Sequence, residues 1–111
     1  MKTKLIIAQR TNWEDRFYIK FKVSEKAMKI IKKIVEELGS NYFVDNHVLP
    51  KNFSKYDKWK DQWIPLFDVN PNIDIICGDK FIHMIIFAKP DNKKINLILD
   101  KYCKWEEPNK K

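Results

Sequence analysis

Apolar residues alternate at Phe17, Ile19, Phe21 and Val23, then recur at helical spacing through Ile31, Ile34, Val35 and Leu38. The template returns 64 positions later as Phe81, His83, Ile85 and Phe87, followed by Ile95, Ile98, Leu99 and Tyr102. Alternation predicts a strand and three-to-four spacing a helix, so the chain reads as two strand-helix units.

Around this frame, Lys4 to Arg10 reads as a first strand and Asn12 to Asp15 as the turn into the clean alternation of Arg16 to Val23. Ser24 is placed to cap the next helix, because its hydroxyl can accept an orphan backbone N–H of the first turn. Ala27, Met28, Ile30, Ile31, Ile34, Val35 and Leu38 form one apolar stripe, and Gly39 ends it where a left-handed residue costs least. The second unit opens with Asn72 to Cys77, a Gly78-Asp79 turn and Lys80 to Ala88, a hairpin with a tight connection. Pro90 stops that strand, Asp91 or Asn92 can cap, and Lys93 to Trp105 continues as a helix, with about 106–111 as a frayed tail. The predicted fold is α+β: one domain over 1–111, with an antiparallel sheet of at least four strands and two main helices on one face.

If Phe81, His83 and Ile85 face the helices as Phe17, Ile19 and Phe21 do, the outward sets of the two strands differ. Arg16, Tyr18, Lys20 and Lys22 make a polar, basic row suited to water. Ile82, Met84, Ile86 and Ala88 make an apolar row that something has to cover. The candidates are the middle of this chain, another protein or a second copy across a two-fold axis, which leaves monomer and homodimer both open.

The insertion at about 41–71 holds the densest aromatic cluster, with Phe53, Tyr56, Trp59, Trp63 and Phe67 interleaved with Lys51, Lys55, Lys58 and Lys60. Phe53, Tyr56, Trp59 and Trp63 fall three, three and four residues apart, which predicts one face of a short helix. Ser54 with Asp57 resembles a capping box, and Pro65 ends the run. These rings can cover the apolar back of the sheet, or serve as a recognition surface, since Trp and Tyr dominate interface hot spots.

The net charge of +7 adds a functional hint. Residues 1–40 carry ten Lys or Arg against five acids, 41–70 four against four and 71–111 eight against six, so the excess sits in the first half. Such a surface favours nucleic acid, anionic membranes or an acidic protein partner, with solubility as the plain alternative. Asp57 and Asp61 balance the aromatic segment, and arginine is limited to Arg10 and Arg16, which weighs against nucleic acid. No apolar run approaches the roughly 20 residues of a membrane span or reads as a signal peptide, which gives the expectation of a cytoplasmic protein without a membrane partner.

The chemistry-bearing residues are few. Cys77 and Cys103 stand apart, without the close pairing of zinc or redox sites, so no metal or cofactor is expected. His47 lies in a polar loop beside Asp45 and Asn46, and His83 on the core-facing side reads as a packed, hydrogen-bonded histidine. The chain has two glycines, so no Gly-rich phosphate loop exists. Arg16, Tyr18, Lys20 and Lys22 are the set from which a metal-free ribonuclease could be drawn.

One stretch carries a family resemblance. The strand His83-Met84-Ile85-Ile86-Phe87-Ala88-Lys89-Pro90 leads into a helix closing with Asp100-Lys101-Tyr102-Cys103-Lys104-Trp105. This pattern of hydrophobicity and aromatics, over the last third of the chain, resembles the ending of certain immunity proteins of bacterial contact-dependent growth inhibition and related polymorphic toxin systems. The resemblance implies a small cytoplasmic α+β protein without enzymatic activity, which binds and neutralises a cognate toxin domain. Inhibitors of basic nuclease toxins tend to be acidic; the basic charge here implies a neutral or acidic toxin. The expected contact is Tyr56, Trp59, Lys60, Asp61 and Trp63, with Lys20 and Lys22 as a second, electrostatic patch. The alternative is a basic RNA-binding module or small ribonuclease toxin.

Overall fold

The computed structural model describes residues 5–41 and 60–106. Within them run β1 (Ile6–Asn12), β2 (Phe17–Lys22), α1 (Glu25–Glu37), β3 (Trp63–Leu66), β4 (Ile73–Cys77), β5 (Phe81–Ile86), α2 (Lys93–Tyr102) and β6 (Cys103–Trp105). The strands form one sheet in the order β3-β4-β5-β2-β1-β6, antiparallel throughout except where β6 lies parallel to β1. Both helices pack their apolar stripes into a single buried cluster with one side of the sheet, which makes the fold α+β.

Local chemistry sets the helix ends. The Ser24 hydroxyl accepts from the Ala27 N–H at 3.0 Å and Glu25 places a negative charge in the first turn of α1. At the other end Gly39 takes φ +110°, its N–H donates to the Glu36 carbonyl at 3.1 Å, and the Ser40 N–H donates to the Val35 carbonyl at 2.9 Å. Those two bonds satisfy carbonyls the helix would otherwise orphan. The chain then leaves under the Asp68 carboxylate, which accepts from the Ser40 hydroxyl and the Asn41 N–H, each at 2.8 Å. Asn92 caps α2 by accepting from the Ile95 N–H at 3.0 Å.

The two helices are clamped to each other at their C-terminal ends. Glu37 accepts from the Lys101 ammonium at 2.7 Å and from the Tyr102 hydroxyl, which holds the Glu37 carboxyl below its ordinary pKa and pushes the phenol up to about 12. Arg10, on the helix side of β1, stacks on the rings of Phe17 and Trp105 and donates to Asn96 Oδ1 at 2.6 Å. It ties α2 and β6 to the sheet.

Four expectations change. First, Phe17, Ile19 and Phe21 pair with Ile86, Met84 and Ile82, and residues opposite one another share a face. Ile82, Met84 and Ile86 are therefore the core set and Phe81, His83 and Ile85 face away from the helices, the reverse of the assignment made from the 64-residue echo. The strand repeat runs at an offset of 65 while the helix repeat keeps 64, and one residue of slip exchanges the faces of a strand. The helices cover Ile82, Met84 and Ile86, so these residues are not a two-fold contact.

Second, Trp63 lies in a strand and not on a helix with Phe53, Tyr56 and Trp59, which are outside the described residues. Ile64 and Leu66 are buried while Trp63 is 66% exposed. Cys77 donates to the Gln62 carbonyl at 2.8 Å, and antiparallel bonding alternates, so Trp63 and Pro65 turn their backbone groups to the outer edge. Proline at such a position costs no ladder bond and blunts the edge. Third, the last helix stops at Tyr102 and not at Trp105: Cys103 becomes extended, pairs with Ile6 and is buried, and the Glu106 N–H donates to the Ala8 carbonyl at 2.8 Å. The vacant edge of β1 offers this segment more hydrogen bonds than a frayed helix end would. Fourth, β1 runs Ile6–Asn12, two residues beyond the expected end at Arg10.

Candidate partner-binding face

The side of the sheet turned away from the helices carries side chains from five adjacent strands, and the register fixes their rows. One row runs Trp63, Ile76, His83, Lys20 and Gln9 across β3, β4, β5, β2 and β1. The next runs Pro65, Asp74, Ile85, Tyr18 and Thr11. Trp63 and Lys20, drawn from the two separate patches expected in sequence, thus share a single row of one face. Lys22 lies two residues beyond Lys20, opposite Phe81.

At the centre of the face the Tyr18 hydroxyl and His83 Nδ1 lie 2.9 Å apart, with their rings edge to face at 5.4 Å between centroids. Trp13 adds a tilted ring 5.5 Å from Tyr18. Half-burial of the imidazole, and then the charge of Lys20, lower the His83 pKa from its ordinary value, so the ring is neutral near pH 7. Lys20 itself is held with its ammonium 4.0 Å from the centroid of the Phe81 ring. Arg16 lies against both Trp13 and Phe87, at 5.3 and 5.0 Å, and is bound by Asp15 at 3.0 Å. That bond lowers the Asp15 pKa and raises that of Arg16.

Two hollows open on this face. One, of about 450 Å³, is lined by Trp63, Pro65, Phe67, Asn72, Asp74 and Phe87 and is mainly apolar. The other, of about 420 Å³, is lined by Lys20, Lys22, Phe81, Ile7, Gln9 and Glu106, with Ala8 beneath. Trp63, Phe67 and Ile7 are 66%, 75% and 60% exposed, an unusual concentration of large apolar surface.

Of the other expected contact residues, Lys60 and Asp61 lie at the start of β3 beside the β4–β5 turn, off the centre of the face. Lys60 reaches Asp79 at 3.3 Å, and Asp61, at φ +68°, bonds its N–H to the Cys77 carbonyl. Tyr56, Trp59 and His47 lie outside the described residues. The sequence reading missed Trp13, Phe81, His83 and Phe87 as members of the face. The histidine was the available signal, because a polar ring is a poor choice for a fully buried row when the alternative is Ile82, Met84 and Ile86.

Cys77 and Cys103 are buried and unpaired by disulfide, and burial pushes the Cys103 thiol up to about 12, which removes it from nucleophilic chemistry. Among the described residues no group of three His, Cys, Asp or Glu is placed to hold a metal ion, and no helix is long and apolar enough to cross a membrane. Compared with protein-family models, with curated proteins and with solved structures, the chain finds no match.

Proposed function

We propose that this chain is a non-enzymatic inhibitor of the immunity type, which binds a cognate bacterial toxin domain in the cytoplasm and neutralises it by association. The observation that carries the reading is the open sheet face: exposed Trp63 and Phe67 beside one hollow, Lys20 and Lys22 beside another, on a rigid sheet backed by the core. Rigid aromatic anchors with a charged surround are the composition of protein–protein hot spots, and they need no reacting group.

The test is co-expression with the C-terminal domain encoded by the reading frame immediately upstream. The expected result is that the domain arrests growth alone, that growth returns when this chain is present, and that the two co-purify. Trp63→Ala should weaken the complex by about 2 kcal/mol, because an exposed ring on a rigid strand contributes to binding and little to folding. Normal affinity together with a lowered Tm would remove Trp63 from the contact. A harmless, unbound neighbour would sink the inhibitor reading.

A basic RNA-binding module or small ribonuclease is the second reading, and one observation favours it: a neutral His83 stands with Tyr18 and Lys20 on an exposed face. A neutral imidazole can take a proton and an adjacent ammonium can stabilise developing phosphate charge. Cleavage of a single-stranded RNA that disappears in His83→Gln would establish that reading in place of the first.

A further inference from the structure

The two hollows differ in chemistry in a way that specifies what can fill them. The first presents Trp63, Pro65, Phe67 and Phe87 and suits an apolar side chain. The second presents the ammonium groups of Lys20 and Lys22. Among the described residues neither lysine forms an ion pair; Lys20 sits on the Phe81 ring, and Glu106 at the rim accepts from Gln9 at 3.0 Å. A carboxylate entering there meets two cations at once. Along the strands the hollows lie about four residues apart and across them about three strand spacings, which separates them by roughly 15–20 Å. An extended chain covers that span in about five or six residues.

The edges of the sheet do not compete for the same partner. The β3 edge offers Pro65 where an incoming strand would need an N–H, and β6 is three residues long. Approach over the face is the open route. Stacked nucleobases fit it less well than a peptide does: Phe81 is capped by Lys20, Tyr18 is engaged by Trp13 and His83, and Arg16 is held by Asp15.

We infer that the partner docks through a segment carrying an aromatic or large aliphatic side chain for the Trp63–Phe87 hollow and an acidic pair, about five or six extended residues away, for Lys20 and Lys22. The inference rests on the reading of this face as the protein-binding surface and names the chemistry of what it binds.

The probe is a synthetic peptide with phenylalanine at one end, a spacer of about five Gly and Ser residues, and two glutamates at the other. Controls replace the glutamates by lysines, shorten the spacer to one residue, or substitute an oligouridine. Binding to the full chain is followed by NMR shifts. The first peptide should perturb β2, β4 and β5 amides and bind about fivefold tighter than either peptide control. The pair Lys20→Gln and Lys22→Gln should bring it down to the level of the lysine peptide, and Trp63→Ala should weaken both peptides alike. All three positions are at least partly exposed, and an unchanged Tm confirms folding. Equal binding of the short-spacer or lysine peptide overturns the inference, as does oligouridine binding tightest at the same residues. If no peptide binds while co-expression still protects cells, the partner chemistry falls alone. Failure to protect removes the inhibitor reading beneath it.

Discussion

At His83 the imidazole exchanges part of its water for the Tyr18 hydroxyl and for Lys20, and both the lost hydration and the like charge disfavour protonation. The folded ring thus binds its proton less readily than the unfolded one. By linkage its contribution to stability is complete above the ordinary histidine value of about 6.5 and is lost as pH falls through that value towards the lowered folded one. Urea unfolding of the parent should show stability declining on the acid side of pH 6.5, and His83→Gln should flatten that part of the profile. Profiles of the same shape would mean that the ring titrates as it does in the unfolded chain. The clamp at Glu37 acts in a lower window: its carboxyl, held down first by Lys101 and then by Tyr102, contributes above the ordinary carboxylate value and is lost as pH falls below it. The two groups can therefore be read separately in one titration.

Among the elements, α1 is the one whose ends are most completely specified by single residues. Ser24→Ala removes the acceptor of the Ala27 N–H and should cost about 1 kcal/mol. Gly39→Ala forces an L side chain into φ +110° and should cost about 1 kcal/mol or more, though the nearest side-chain atom, on Val69, is 3.8 Å away and leaves room for a methyl group. Thermal unfolding of the two variants checks both figures, and an unchanged Tm for Gly39→Ala would show that the turn relaxes. These signals were legible because a cap or a stop is a local property, as was the Gly78-Asp79 hairpin, where the Gly78 N–H donates to the Phe81 carbonyl at 2.9 Å. The orientation of β5 was not legible, since Phe81, Ile85 and Phe87 are as apolar as Ile82, Met84 and Ile86. Only pairing with β2 decides which side is covered. Substitution tests that decision: Met84→Ala should cost about 3 kcal/mol and Ile85→Ala about 1 kcal/mol, whereas the echo-based orientation demands the opposite ranking. The strands β3 and β6, of four and three residues, escaped the reading because each is too short to establish a period and takes its conformation from a neighbouring edge.

Over the whole molecule, a charge of +7 acts on encounter before any contact forms. The candidate face was legible in part from sequence. Lys20, Lys22 and Trp63 were singled out, but their convergence depends on a strand order, β3-β4-β5-β2, that no local pattern encodes. That convergence separates two kinetic roles. Lys20 and Lys22 carry long-range attraction and should govern association, whereas Trp63, which gains by excluding water once docked, should govern dissociation. For the complex with an acidic partner, raising salt from low ionic strength to about 0.5 M shortens the screening length to a few ångströms, and association should slow by about tenfold. Charge reversal at Lys20 and Lys22 should slow association at low salt and abolish much of that dependence, leaving the dissociation rate nearly unchanged. Trp63→Ala should do the converse, raising the dissociation rate by about thirtyfold, the kinetic equivalent of about 2 kcal/mol, with the salt slope intact. Stopped-flow mixing across a salt series distinguishes the two. A salt slope that survives charge reversal at both lysines would place the attraction elsewhere in the molecule, and a Trp63→Ala effect confined to the association rate would show that the ring guides encounter and does not anchor the bound state.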